Sequence, residues 1–169
     1  SQGRKRDRVL GSASLATAGA LRRHLAADLD AQPREVCLTV LGAPPDLVVV
    51  PRGSVSVSGI PVDLLSPVAL RRALAAVGAR SLGPVALAAA GARVLRALSG
   101  TDATVLPVVA RLEGEYGHRG PVVAVPARLG GGRLQSVVEL PLDPVERVAF
   151  DNAAERSVAG AQRRGFRAD

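Results

Sequence analysis

Apolar residues change their spacing along the chain, and the changes predict which segments are helices and which are strands. Thr17 to Leu29 carries leucines at intervals of four with charged residues between them, which predicts a helix. Glu35 to Leu41 alternates and is rich in β-branched residues, which predicts a strand with Cys37 as a small buried side chain. The segment GAPPD (42–46) ends this strand, because two prolines cannot continue a strand ladder.

The middle of the chain predicts short extended pieces followed by two helices. The extended pieces are Leu47–Pro51 and Ser54–Ser58, and a turn follows at 59–61. The two helices are Pro67–Val77, with Ser66 as N-cap and Gly78 as its end, and Pro84–Leu98, which begins with proline in the first position.

Beyond residue 100 the period changes to two, which predicts three strands joined by glycine-rich turns in an antiparallel meander. These strands are Thr104–Glu113, Gly120–Leu129 and Arg133–Leu140. Asp143, Pro144 and Glu146 are typical of a helix start, and this helix runs to about Ala161. The order predicts an α+β fold with helices packed on a largely antiparallel sheet. It contains no strand–helix–strand alternation and no phosphate-binding glycine motif, so we expect no Rossmann domain in this chain.

Composition narrows the class of protein. The chain has 169 residues, 47% hydrophobic but only 2% aromatic, so its core consists of Val, Leu and Ala and it lacks the stacking platforms of single-strand binders. Its one cysteine excludes an internal disulfide and a cysteine-based zinc site. The longest apolar run, Val85 to Ala92, is too short to span a membrane, and no signal peptide is recognisable. We therefore expect a cytoplasmic protein without a membrane segment.

The net charge of +7 is concentrated at the two ends of the chain. We interpret residues 1–8 as a flexible basic N-terminal segment, 9–162 as one domain and 163–169 as a basic C-terminal tail. Charge runs of this kind are usually solvated, so the charge alone does not indicate a nucleic-acid partner. A basic module for acidic partners stays open as a hypothesis that rests on charge alone.

Six segments in a fixed order resemble the C-terminal, substrate-binding half of the lactate/malate dehydrogenase family, and the malate dehydrogenase branch more closely. They are RDRVLGSASLATAGALRRHLAADL (6–29), REVCLTVLG (34–42), VSGIP (57–61), LEGEYG (112–117), VPARLG (125–130) and VELPLDPVERVAF (138–150). The resemblance implies that fold, and it implies that NAD is held by an N-terminal Rossmann half. We expect no cofactor for this chain alone, and NAD only if a Rossmann half exists elsewhere.

The resemblance also implies that this chain lacks the family's chemistry. The acid/base histidine of the family's G-G-H-G-D loop falls on Pro44, although the loop aspartate is retained as Asp46. The aspartate that orients the histidine falls on Thr17, and the arginine that grips the substrate carboxylate falls on Ala20. The small hydroxyl residue near the nicotinamide falls on Ala79. We therefore predict no catalytic, cofactor-binding or metal-binding residue in this chain.

The other chemically interesting residues have simpler interpretations. His24 and His118 are expected to be surface histidines, and Glu113 and Glu115 to be solvated carboxylates beside a turn. Arg22 matches the family's second arginine, which is not the one that grips the substrate, and helix arginines such as 71, 72, 93 and 96 are expected to lie on solvated faces.

Two functional hypotheses follow. The replaced positions favour a domain without enzyme activity, but they do not decide the question. The first is a catalytically inactive domain that acts as a structural, oligomerisation or protein-interaction module, with a homo-oligomer or another protein as partner. The alternative is the C-terminal half of a longer NAD-dependent malate/lactate dehydrogenase-like oxidoreductase.

The replaced positions generate a first prediction. The resemblance places Ala20, Pro44 and Ala79 in the substrate pocket. This pocket is therefore expected to be more apolar than in active members of the family and to lack a guanidinium for the substrate carboxylate. We expect malate to bind this chain more weakly than millimolar. Titration calorimetry measures this directly, and a millimolar or tighter dissociation constant contradicts the assignment of these positions.

Overall fold

The computed structural model describes residues 9–78 and 82–163. The predicted basic segment 1–8 and Ala79 lie outside the described residues, as does the predicted tail beyond Arg163. Within the described residues there are five α-helices, two 3₁₀ turns and eight strands. They are α1 Ala13–Asp28, β1 Val36–Cys37, β2 Leu41–Ala43, β3 Leu47–Val49, a 3₁₀ turn Arg52–Ser54, β4 Ser56–Val57, β5 Ile60–Pro61, α2 Val62–Leu65, α3 Ala69–Gly78, α4 Pro84–Ser99, β6 Thr104–Glu113, a 3₁₀ turn Glu115–Gly117, β7 Arg119–Gly130, β8 Arg133–Val137 and α5 Pro144–Arg163.

The predicted antiparallel meander is the centre of the main sheet, which runs in the order β3-β2-β7-β6. β6 pairs with one edge of β7 from Thr104–Leu129 to Glu113–Arg119. The other edge of β7 is shared, because β2 pairs there through Gly42 and Ala124 and β8 pairs further along the strand. β8 ends at Val137, before the predicted end at Leu140, because the backbone N–H of Leu140 bonds to a tyrosine hydroxyl instead of a strand.

The predicted strand Glu35–Leu41 is two strands that belong to different sheets. β1 joins β4 and β5 in a small second sheet, whereas β2 begins at Leu41 in the main sheet. The predicted turn at 59–61 supplies β5, which pairs with β4. Cys37 is exposed, so its predicted burial is wrong. Val36 and Leu38 are the buried residues here, and successive strand residues face opposite sides, which turns Cys37 outwards.

The helices confirm most of the predicted pattern and shift several boundaries. α1 begins at Ala13 rather than Thr17, so it gains a first turn. Ser66 is not an N-cap: it ends the short helix α2, which the sequence pattern missed, and its N–H donates to the carbonyl of Val62. The predicted start of α5 is confirmed, because the Asp143 carboxylate accepts the N–H of Glu146 at 2.8 Å and Glu146 returns a bond to the N–H of Asp143 at 3.0 Å.

Two groups of buried side chains form the core, and α1 contributes to both. The first group lies between the main sheet, α4 and α5, and Phe150 is its largest fully buried side chain. The second lies between the later part of α1, the small sheet and α3, with Leu21 and Leu25 fully buried. Burial of one helix by both groups joins the two sheets into one domain.

Gly42 gives a prediction that tests the turn between β2 and β3. Its φ of +91° favours glycine, and a Cβ there would overlap the carbonyl oxygen of Leu47. We expect Gly42→Ala to lower the free energy of unfolding by about 1–3 kcal/mol, measured by urea denaturation. Gly53→Ala is the matched control, because a Cβ there meets no atom within 4 Å and the cost is expected to be small. Equal effects of both substitutions would contradict the described turn.

Candidate functional site

The turn between β2 and β3 is the first part of the candidate site, because the resemblance places the acid/base residue here. Residues 44–46 form the turn, and the Pro44–Pro45 peptide bond is cis. β2 anchors it to the main sheet, since Gly42 pairs with Val48 on one side and Ala124 on the other. Pro44 is half-buried and has neither a titratable group nor a side-chain donor, so it cannot transfer a proton.

Asp46 is the one titratable side chain of this turn, and it is exposed. It lines a cavity of about 490 Å³ together with Arg156, Ser157 and Arg163 of α5. Ser157 is engaged with the sheet, because its hydroxyl donates to the carbonyl of Val122 at 2.7 Å and accepts its N–H at 3.0 Å. The cavity therefore offers an exposed carboxylate facing two arginines, which is a charged surface and not an acid/base pair.

The second part of the candidate site is α1, which carries Thr17 and Ala20, the positions that match the orienting aspartate and the substrate-binding arginine. Thr17 is buried, and its hydroxyl donates to the carbonyl of Ala13 within the same helix at 3.0 Å. Ala20 is also buried. Across residues 9–78 and 82–163, no hydrogen bond or ion pair joins these two residues to Asp46. Ala79, the fourth position, lies outside the described residues, so the geometry of all four together is not described.

The two histidines differ in their environments. His24 is half-buried on α1. The side chain of His118 is 23% exposed, and its Nε2 lies 2.7 Å from the Asp151 carboxylate, so the expectation of a plain surface histidine is wrong for His118. Arg147 also donates to Asp151, at 3.0 Å. These contacts join the start of β7 to α5.

This cluster holds a carboxylate in its charged form. Partial burial alone would raise the pKa of Asp151, but hydrogen bonds from His118 and Arg147 and the positive charge of Arg147 outweigh it and hold the pKa of Asp151 below its usual range. The cluster contains an aspartate and an arginine of α5 and a histidine of the turn that precedes β7. Its geometry is that of a tie between two elements.

Beside it lies the segment LEGEYG, with Tyr116 at its centre. Tyr116 is buried, and its ring centroid is 4.7 Å from that of Phe150. Its hydroxyl accepts the N–H of Leu140 at 2.9 Å, and Arg147 donates to its carbonyl at 2.7 Å. Burial raises the pKa of the Tyr116 phenol, although the bond from Leu140 works the other way. The tyrosine is neutral at pH 7 and serves as a structural junction.

Glu113 and Glu115 do not form a paired acid/base site. β6 ends at Glu113, and Glu115 lies in the following 3₁₀ turn. The carboxylate of Glu115 accepts the N–H of Glu113 at 2.7 Å. One of the two carboxylates therefore closes the turn between β6 and β7.

Sequence reasoning missed one feature of α1. Arg22 is half-buried, and it lines a recess with Arg93 of α4. The signal was present in helical spacing, since positions 15, 19 and 22 share one face of α1. What could not be read from the sequence is that α4 packs against this face.

The described part of the chain contains no group of three or more His, Cys, Asp or Glu side chains placed to hold a metal ion. Within the same residues, no helix combines the length and the hydropathy needed to cross a membrane.

The fold is that of the C-terminal half of malate dehydrogenase structures. The malate dehydrogenase of Aeropyrum pernix superposes with a TM-score of 0.88 at 22% identity, over 94% of this chain and 56% of that chain. That of Salinibacter ruber gives a TM-score of 0.86 at 26% identity, over 96% of this chain and 59% of that chain. These superpositions confirm the predicted α+β class and architecture.

Sequence relatives make the same assignment. The malate dehydrogenase of Nostoc punctiforme is 32% identical over 164 residues, which cover 90% of this chain and 50% of the relative. That of Thioalkalivibrio sulfidiphilus is 34% identical over 168 residues, covering 93% and 53%. A scan against models of known protein families finds no match. Over most of its length the chain is similar to the C-terminal half of malate dehydrogenases, and it spans about half the length of these relatives.

The Asp151 cluster generates a prediction about pH. Because the folded-state pKa of Asp151 lies below its unfolded value of about 4, its stabilising effect is present above that pH and is lost as the pH falls through the folded pKa. We expect Asp151→Asn to destabilise the domain at pH 7 and to have a much smaller effect near pH 3, measured by urea denaturation. Glu155→Gln, an exposed change on the same helix, is the control. An Asp151→Asn effect that does not depend on pH contradicts the described tie.

Proposed function

We propose that this domain works as the C-terminal half of a malate dehydrogenase-like protein and that it contributes scaffold rather than acid–base chemistry. The observation that carries the proposal is a contrast between the similarity along the whole chain and the residue at position 44. The relatives match 90% or more of the chain, yet proline stands where the resemblance places the proton-transferring histidine. Loss of a general acid/base typically lowers a rate by about 10²–10⁴-fold.

The surroundings of α1 support the same conclusion. The hydroxyl of Thr17 is engaged with the helix backbone, so it is not directed at an imidazole. Ala20 offers no guanidinium, and positioning of a carboxylate substrate by a two-pronged arginine is lost with it. An arrangement that lacks base, orienting carboxylate and clamp together does not bring a 2-hydroxy acid into reacting geometry.

Residues 9–78 and 82–163 do not form the parallel-strand crevice that typically holds NAD. The strand pairs that the structure describes are all antiparallel, and a dinucleotide binds at a crevice between parallel strands where a helix begins at its pyrophosphate. In the proposal, NAD belongs to a separate nucleotide-binding half. A cytoplasmic location also stays a prediction.

A structural or oligomerisation role is a second candidate, and exposed apolar side chains on two helices favour it. Leu64 of α2 is 78% exposed, and Val85 and Leu95 of α4 are 81% and 66% exposed. Leu95 also lines a cavity of about 500 Å³ with Leu10 and Leu98. Burial of such side chains against a protein surface is favourable at about 25 cal/mol per Å². Light scattering of the 169-residue chain tests self-association, and a monomer at high concentration removes that part.

The proposal is tested on the native protein purified from its source. We expect native mass spectrometry to find this domain joined to, or bound by, a nucleotide-binding half, with a total mass of about twice that of the chain. We expect no NADH-dependent reduction of oxaloacetate or pyruvate above background, once circular dichroism has established that the protein is folded.

The two measurements separate the two parts of the proposal. Turnover by the intact protein that falls on mutation of this domain contradicts the scaffold role but leaves the assignment as a half intact. A native mass equal to that of the chain contradicts the assignment as a half. Pro44→His serves as a further check. We expect it to confer no activity, because Thr17 supplies no orienting carboxylate and Ala20 supplies no guanidinium for the substrate.

A further inference from the structure

The hairpin of β7 and β8 places two arginines and a serine on one exposed face at the end of the main sheet. Arg128 of β7 is directly opposite Ser136 of β8 in the antiparallel register, and Gly130 is opposite Arg133. Positions 128 and 130 are two apart on β7, so the two arginines and the serine share one face of the hairpin. All three side chains are exposed.

An irregularity in the pairing brings a further polar group to the same face. The register shifts between the pairs of Arg128 and Leu129, which leaves Gln135 as an extra residue of β8. The side-chain amide of Gln135 reaches Gly130, because a Cβ built on that glycine would lie 3.1 Å from its Nε2. The face therefore gathers guanidinium, amide and hydroxyl groups, all of which can donate hydrogen bonds.

The two arginines of this face have no acidic partner in the described part of the chain. Across residues 9–78 and 82–163, every ion pair involves other residues, and the Ser136 hydroxyl makes no hydrogen bond. Diagonal neighbours on paired strands lie about 7–8 Å apart, and this relation holds for Arg128 and Arg133. A phosphoryl group on Ser136 lies within reach of both guanidinium groups, whose planar donor forks suit its oxygens.

The local backbone also suits Ser136 as a substrate of a protein kinase. β8 is an extended segment of five residues, and among the described strands it pairs with β7 alone, so its other edge is open. Arg133 stands three residues before Ser136. Many serine kinases bind the acceptor segment in an extended form and select an arginine at this spacing by its charge.

We propose that Ser136 is a phosphorylation site and that Arg128 and Arg133 hold the phosphoryl group once it is attached. In the transfer, the Ser136 Oγ attacks the γ-phosphorus of a nucleoside triphosphate held by a protein kinase, and the bond to the bridging oxygen breaks. The nucleoside diphosphate leaves, and the hydroxyl proton passes to a base of the kinase. The site is independent of the proposed function above, because none of its residues belongs to α1 or to the turn at Pro44.

Ser99 provides a comparison with the same local sequence pattern, because Arg96 stands three residues before it. Ser99 is exposed as well, but it is the last residue of α4. Its hydroxyl donates to the carbonyl of Leu95 at 2.9 Å. A helical acceptor with an engaged hydroxyl does not fit an extended binding groove, so the fold distinguishes two serines that the sequence pattern does not.

The first experiment incubates the folded 169-residue chain with ATP and a calmodulin-dependent serine kinase, followed by peptide mass spectrometry. The kinase is chosen as one that labels short peptides of residues 130–139 and 93–102 at similar rates. We expect one phosphoryl group on Ser136 of the folded chain, lost in Ser136→Ala, and labelling of Ser99 that is about tenfold slower or more. No labelling of Ser136 in the folded chain, or faster labelling of Ser99, overturns the proposal.

The second experiment tests the two arginines by urea denaturation of the phosphorylated and the unmodified chain. We expect phosphorylation to raise the urea midpoint, by an amount that shrinks as salt is added, because the product carries about two negative charges opposite two guanidinium groups. Arg128→Gln lies outside the arginine–serine spacing that the kinase reads, so it should leave labelling intact and remove about half of the rise or more.

Arg119→Gln is the matched control, because it removes the same charge from an exposed position of the same strand, outside the hairpin face. It is expected to leave the rise in midpoint nearly unchanged. A lower midpoint after phosphorylation, or an equal loss of the rise in Arg128→Gln and Arg119→Gln, contradicts the role of the arginines. Circular dichroism of each unmodified variant establishes that it is folded before the comparison is made.

Discussion

Strand β7 is the element on which the rest of the structure depends, because it satisfies backbone groups on both edges along its length. β6 covers one edge almost completely. The other edge is divided among β8, β2 and the hydroxyl of Ser157, which bonds both backbone groups of Val122. A strand buried in this way has little freedom of register, since a slip of one residue would turn every side chain to the wrong face. The turn at Pro44 is therefore positioned from the centre of the sheet.

The contact between Tyr116 and Phe150 helps to fix the position of α5 on the main sheet. The tyrosine ring packs on the phenylalanine of α5, while its hydroxyl satisfies the backbone of Leu140 just beyond β8. Glu139 and Arg147 bond the N–H and the carbonyl of the same tyrosine at 2.7 Å each. These contacts join the β6–β7 turn, the end of β8 and α5. Tyr116 therefore helps to orient α5 over the sheet. The cavity beside Asp46 is in turn shaped by α5.

Elements that depend on a local sequence pattern could be predicted, and features that depend on tertiary pairing could not. The meander and the start of α5 were predictable, because period-two alternation and the Asp143–Glu146 cap are properties of neighbouring residues. The division of 35–41 between two sheets was not, since only tertiary pairing separates Val36 from Leu41. The predicted burial of Cys37 is wrong for the same reason. At the candidate site, the residue types came from the sequence, but the recess between α1 and α4 came only from the packing.

Packing of the core and recognition of a substrate place different demands on these residues. Leu21, Phe150 and Tyr116 each contact several elements, so a change at any of them disturbs the packing of the whole domain. Thr17 and Pro44 occupy places whose chemical requirement, as the resemblance implies it, concerns a substrate and not the core. Thr17 donates its hydroxyl to the backbone carbonyl of Ala13, and Pro44 lies in a half-buried turn. Substitution at such positions is therefore compatible with the fold, which superposes on the C-terminal half of malate dehydrogenase structures.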